Sequence, residues 1–312
     1  MKQKKIRPPI LPRDQRDPTG VDALERKAIR DLRSRVTKAS KAYIKILDQL
    51  PVQKVTINRT AYVYQLDATI LSILLEQAGQ EVDALFLSGG MQNVWFFEAY
   101  VSAAYRRGVA QERANLAQQS PSYAAGRQSA AQLMRTEPYI RRMALLAARE
   151  FEEMKGLSNG IKADMTRILT DGIGRGQNPH TVAKALSDQT GISRSRADRI
   201  ARSEIPTALR RARLDEADEA EEAYGLTFMQ MHQSALSPTT RRSHAIRHGN
   251  LYTSEQQREW WAKDANSINC KCSTLTVLVD EKGKPLVPEF QQRAKATYKK
   301  MSERNYQWHQ KS

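Results

Sequence analysis

The sequence predicts a mainly α fold, a helical N-terminal body followed by a small C-terminal α+β module. Two observations predict it. In successive segments from residue 21 to residue 224, apolar side chains recur every three to four positions, as they do on a helix with one buried face. After Gly225 the period drops to two, in Leu226-Thr227-Phe228-Met229-Gln230-Met231 and again over 273–279.

Residues 1–20 hold four prolines and no periodicity, which predicts an extended or disordered basic arm. The helical body, 21–190, opens with a helix over 21–50, read from Leu24, Ala28, Leu32, Val36, Ala39, Tyr43 and Leu47 and stopped by Pro51. The run 52–57 reads as a strand or a linker. Helices follow over 66–87, ended by Gly89-Gly90, and over 93–118, broken by Gln119-Ser120-Pro121. Further helices are expected over 124–133 and 138–154, then a turn at Asn159-Gly160 and a helix over 161–173. Gly172, Gly174, Gly176 and Pro179 make a loop, with helices over 181–189 and 193–224 beyond it, the second bent near Pro206. The module, 191–287, adds a strand over 226–231, a helix over 255–263 and a strand over 273–279. A turn at Gly283 then lets 285–287 pair back. A basic C-terminal segment, 288–312, carries a helix over 289–306. No internal repeat is visible at solenoid periods.

Composition narrows the class. The 312 residues carry a formal charge of +16 and 40% hydrophobic residues, with a mean hydropathy of -0.63. Two cysteines exclude a disulfide-rich scaffold. No apolar run follows Met1, so no signal peptide is expected. The most apolar stretch, 68–87, contains Glu76, Glu81 and Asp83, so no membrane partner is expected. The charge is uneven: residues 1–50 are net +8 and residues 280–312 net +4. Lys2, Lys4, Lys5, Arg7, Arg13, Lys295, Lys299 and Lys300 are therefore the candidates for contact with DNA phosphates, with Tyr298, Tyr306 and Trp308 interleaved at the C-terminal end. Solvated tails that order on assembly are the plainer reading. Between the ends, an arginine-rich run from Arg194 to Arg213 precedes an acidic block of Asp215, Glu216, Asp218, Glu219, Glu221 and Glu222. It reads as a partner-facing dipolar surface or as a solvated helix face with internal pairs such as Asp198 with Arg202.

Catalytic motifs are absent: there is no Gly-x-x-x-x-Gly-Lys-[Ser/Thr], no Gly-x-Ser-x-Gly elbow and no Gly-x-Gly-x-x-Gly after a strand. One cluster has metal-ligand chemistry. His244, His248, Cys270 and Cys272 offer two imidazoles and two thiols, a tetrahedral Zn²⁺ set, although Cys-x-Cys is tighter than usual spacing. Two buried thiols and a hydrogen-bonded histidine pinning the module together account for the same residues without a metal. No cofactor is required by the sequence. A metal-dependent nuclease of the His-Asn-His kind would need a further histidine downstream of Asn250, where only His309 is found.

Arg196, Ala197, Ile200, Arg202 and Glu204, in the run Arg-Ala-Asp-Arg-Ile-Ala-Arg-Ser-Glu, resemble the R-A-x-x-I-A-R-[ST]-E signature of the phage minor head proteins of the Mu F type, the phage head morphogenesis proteins. Arg242, His244 and Gly249, then Trp260, then Asn269, Cys270 and Cys272 follow in the order of that family's later motifs, with Lys271 in place of its arginine. The resemblance covers about 194–278. It implies a non-enzymatic, low-copy virion protein of a tailed double-stranded DNA phage. Such a protein sits inside the head near the portal vertex after assembly in the host cytoplasm, and acts in DNA packaging or ejection. The partners implied are the portal protein, the major capsid or scaffolding protein, and double-stranded DNA bound without sequence preference. A stand-alone DNA-binding protein using the Arg194 to Arg213 helix and a His/Cys metal-dependent nuclease are the competing readings.

Overall fold

The computed structural model describes residues 6–56, 60–65, 67–304 and 306. The fold is mainly α with a small antiparallel sheet near the C-terminal end, as the change of period predicts. In chain order the elements are α1 (Asp22–Gln49), β1 (Val52–Thr56), β2 (Thr60–Tyr64), α2 (Ala68–Phe86), a π-helical turn (Phe97–Val101) leading into α3 (Ser102–Gln119), α4 (Pro121–Gly126), α5 (Ala130–Leu133), α6 (Glu137–Gly174), α7 (Pro179–Tyr224), β3 (Phe228–Gln233), α8 (Arg242–Ala245), β4 (Leu251–Tyr252), α9 (Ser254–Ala262), β5 (Ser273–Leu278) and α10 (Glu289–Ser302). Among the described residues no helix is long and apolar enough to cross a membrane.

Several helices outrun their sequence signals. No turn forms at Asn159-Gly160; α6 continues to Gly174. No break forms at Gly191; α7 runs from Pro179 through Pro206 to Tyr224. An interior glycine costs a helix about 1 kcal/mol. That is less than the burial of Leu157, Ile161, Leu186 and Ala197 on either side returns. The opposite holds over 124–133, where two short helices replace one. Ser120 accepts from the Tyr123 N–H with Pro121 in the first turn, and Ser129 opens the next helix with a capping box to Gln132. β2 and β4 lie where no strand was expected.

The chain divides into two compact units that interleave along the sequence: 26–99 with 141–201, and 1–25 with 100–140 and 202–312. In the first, α1 buries Leu32, Val36, Ala39, Tyr43 and Ile46; α2 buries Ala78, Val82 and Phe86; and α6 buries Met154, Leu157, Ile161, Met165 and Leu169. These are i, i+3/i+4 stripes. Arg33 grips the Asp198 carboxylate with two hydrogen bonds, of 2.9 and 2.5 Å. Asp83 accepts from Lys162 and from the Ser158 hydroxyl. The β1–β2 hairpin is tied by the Tyr62 N–H to the Gly176 carbonyl at 3.0 Å.

In the second unit the sheet order is β4-β3-β5, all antiparallel, with Met231 opposite Leu275 and Gln230 opposite Thr276. The segment after Gly283 pairs back as expected, through a bridge from Pro285 to Val279. Met231, Leu275, Val277 and Val279 form one apolar core with Phe290 and Ala294 of α10. From α3, Asn115 and Gln119 both donate to the Thr276 carbonyl at 2.9 Å. Residues 6–20 form no helix or strand, yet they are tied down. The Ile10 N–H donates to Asn115 and the Gln15 amide to the Ser234 carbonyl. Asp17 accepts from the Thr19 hydroxyl and from the N–H groups of Gly20, Val21 and Asp22 at the start of α1.

Candidate functional site

The residues around the two cysteines are assembled from three elements of the second unit. The first is α7. Ser203, Thr207 and Arg210 lie at i, i+4 and i+7, so they share a face. Ser203 Oγ accepts from the Asn269 N–H at 3.1 Å. Arg210 is fully buried; its Nη1 donates to the carbonyls of Cys270 (2.8 Å) and Cys272 (3.2 Å), its Nη2 donates to Thr207, and its guanidinium lies 4.8 Å from the Trp261 ring centre. Burial lowers its pKa, against the pull of the nearby sulfurs.

The second element is the turn before β5. Asn269 adopts φ 51°, a left-handed conformation that asparagine tolerates better than most side chains. It sends Cys270 and Cys272 inward, where both are buried with Leu214 and Trp261. The cysteines titrate as a pair. Cys270 is pulled well below the usual thiol range, first by a hydrogen bond from Cys272, with Arg210 and His244 adding to it. Cys272 is correspondingly pushed up.

The third element is α8 and the loop around it. Arg241 fixes the loop by donating to the carbonyls of Ala265, Asn266 and Ile268. His244, buried on α8, then places Nδ1 3.4 Å from Cys270 Sγ and 3.5 Å from Cys272 Sγ. Trp260 packs edge-on against His244 and His232, with ring centres 4.6 and 5.0 Å apart. Arg247 lies over both Trp260 and Tyr252.

Of the four residues expected as a metal set, three come together: the donor atoms of His244, Cys270 and Cys272 all lie within 4.8 Å of one another. His248 belongs elsewhere. Its Nδ1 accepts from the Ser234 N–H at 3.1 Å, and burial lowers its pKa to about 4. A helix continuing from His244 to His248 would put both on one face, but α8 ends at Ala245, and Gly249 follows with φ 74°, packed against α10. His232 is also buried and neutral, pushed down to about 3 by desolvation. A cleft of about 330 Å³ is lined by the three metal-type donors together with Arg202, Thr240 and Lys271.

The remaining motif residues have structural places. Ala197 and Ile200 are buried in the first unit, where the exposed Arg196 packs over Gly160. Arg202 lies 3.8 Å from the buried Glu25, and Glu204 is buried. Arg242 is exposed beside the buried His244. The arginine run and acidic block are mixed: Arg194, Arg196, Arg199, Arg202, Arg211, Glu221 and Glu222 are exposed, as a solvated face expects, whereas Arg210, Arg213 and Glu216 are buried. Arg213 pairs with Glu112, Arg113 with Glu216, and Arg33 with Asp198. Arg7, Arg13, Lys295, Lys299 and Lys300 are exposed, while Lys2, Lys4, Lys5 and Trp308 lie outside the described residues. Ser203, Arg210 and Arg241 lie in the motif and arginine-rich stretches that the sequence marks, but it does not single them out as site residues; the helical spacing of Ser203 and Arg210 was the available signal.

The geometry defines a class: a helical protein with a small α+β module, in which Ser203, Arg210 and Arg241 hold a helix, a Cys-x-Cys turn and the loop around a buried histidine. Residues 163–275 match the family described as Phage Mu protein F like protein, so this segment is similar to that family, in line with the motif resemblance. That family suggests a phage head morphogenesis protein. No curated protein and no solved structure matches the chain.

Proposed function

We propose that this protein is a structural minor capsid protein of a tailed double-stranded DNA phage, docking on the portal vertex inside the head and contacting packaged DNA with its basic ends. The family match over 163–275 carries the reading. The role is assembly rather than catalysis: the family is one of structural head proteins, and several of its signature residues here, Ala197, Ile200, Glu204, His244, Cys270 and Cys272, are buried in packing contacts. Scaffolding or major capsid protein is a secondary partner during assembly in the host cytoplasm.

The DNA contact is supported by the charge partition. Twelve of the sixteen excess positive charges lie in residues 1–50 and 280–312, and Lys295, Lys299 and Lys300 stand exposed on α10. Each phosphate neutralised adds about -0.9 to the slope of log affinity against log salt. Co-expression with the portal protein tests docking, and removal of residues 1–20 together with Lys295→Gln, Lys299→Gln and Lys300→Gln tests DNA contact. Copurification with portal and a shallower salt slope in the variant are expected. Absence of portal copurification would overturn the docking, and an unchanged DNA slope would overturn the DNA contact.

A further inference from the structure

We propose that His244 Nδ1 and the thiolates of Cys270 and Cys272 bind one Zn²⁺ ion, with a solvent molecule from the adjoining cleft as the fourth ligand.

The separations carry the argument. Zinc bonds of about 2.3 Å to sulfur and about 2.0–2.1 Å to nitrogen, at the tetrahedral angle, put N and S about 3.6 Å apart. The two observed separations are 3.4 and 3.5 Å. Hydrogen bonding links the sulfurs to each other and one of them to Nδ1, but leaves the second sulfur equally close to Nδ1 without a bond to it. A neutral Nδ1 has one lone pair and accepts from one thiol, yet two sulfurs stand equally close. A cation at the common point satisfies all three donors.

The surroundings match a thiolate-bound metal. Each of the three residues is at most 3% exposed, so competing water is excluded from the sulfur side. The carbonyls of both cysteines are clamped by Arg210, and Cys272 Sγ lies 3.7 Å from Ser234 Oγ. These outer contacts fix the ligands before the ion arrives. Zn²⁺ with two thiolates and a neutral imidazole has no net charge, which suits a pocket already holding the buried Arg210 cation. The three donors also line the cleft that contains Thr240 and Arg241, which leaves the fourth position open to solvent. His248 takes no part, being engaged by the Ser234 backbone.

The test uses the full chain, freed of any histidine tag and purified under reducing conditions from zinc-containing medium. Elemental analysis is expected to give about one zinc per chain, and Co²⁺ substitution a thiolate-to-metal charge-transfer band with tetrahedral d–d bands. In chelator competition, Cys270→Ser and Cys272→Ser are expected to weaken retention by more than the roughly 10-fold that loss of a supporting residue costs, while His248→Asn keeps full stoichiometry. A wild-type chain that takes up neither zinc nor cobalt overturns the proposal whether or not the variants fold. So does a metal-free chain carrying a Cys270–Cys272 disulfide, or full retention by Cys272→Ser.

Discussion

Arg210, fully buried on α7, donates from one nitrogen to the carbonyl oxygens of both Cys270 and Cys272, at 2.8 and 3.2 Å. It binds the backbone of the Cys-x-Cys turn, not its side chains, so the turn is held by a residue seven positions after Ser203 on the same helix face. Arg210→Met keeps much of the volume but leaves two carbonyls without a donor. A loss of about 3 kcal/mol in urea unfolding is expected, with Arg210→Lys intermediate because one ammonium cannot span both oxygens in the same geometry. A loss under about 1 kcal/mol for Arg210→Met would show that the clamp does not hold the turn.

His248 gives the module an acid-sensitive side. It is neutral when folded, with a pKa lowered by burial to about 4 from the ordinary 6.5. As pH falls below 6.5 the unfolded chain takes up a proton that the folded chain does not, so stability is lost progressively down to about pH 4 and no further from this residue. The linked loss is about 3 kcal/mol at most. Unfolding free energies measured between pH 7 and 4 should fall less steeply in His248→Asn than in the wild type; parallel slopes would remove His248 from the account.

Much of this was legible in the sequence because it rests on periodicity. The stripe from Leu24 to Leu47 gave α1 to within a residue at each end, and the shift to alternation after Gly225 gave β3 and β5. What was not legible rests on long-range partners. Asn159-Gly160 reads locally as a turn, and only the burial of Leu157 and Ile161 makes it helix. Within 194–222 the buried members Asp198, Arg213 and Glu216 cannot be told from the exposed ones, because their partners, Arg33, Glu112, Arg113 and Tyr123, lie in other parts of the chain. At the candidate site the motif order located the right turn and the right helix. His248 was misplaced because α8 is a single turn, which no count of spacing reveals.

Gly249 and Gly283 separate two costs that glycine relieves. Both have positive φ, 74° and 73°. A Cβ at Gly249 would lie 3.2 Å from Ala294 Cβ and 3.3 Å from the Lys295 backbone nitrogen, whereas one at Gly283 meets nothing within 4 Å. Gly283→Ala should therefore cost only the backbone strain, about 1 kcal/mol. Gly249→Ala should cost distinctly more, because α10 must give way. Thermal unfolding of the two variants side by side checks this. Equal shifts would mean that α10 does not pack tightly on the loop after α8.

The pair Glu112 and Arg213 shows that part of the charged run of α7 is interior. The carboxylate is fully buried, the guanidinium nearly so, and they meet at 2.8 Å. Asn115 supplies a further hydrogen bond to Glu112. Removing one member strands the other charge in the interior, so Glu112→Leu or Arg213→Met alone is expected to cost about 3–5 kcal/mol. Removing both takes away the desolvation cost along with the attraction. Glu112→Leu with Arg213→Met should then be less destabilised than the sum of its singles by several kcal/mol, and closer to the wild type than either. A double-mutant cycle in urea reads this directly. Additive losses would mean that the two charges are solvated independently, and Arg213 would behave like the exposed arginines of the run.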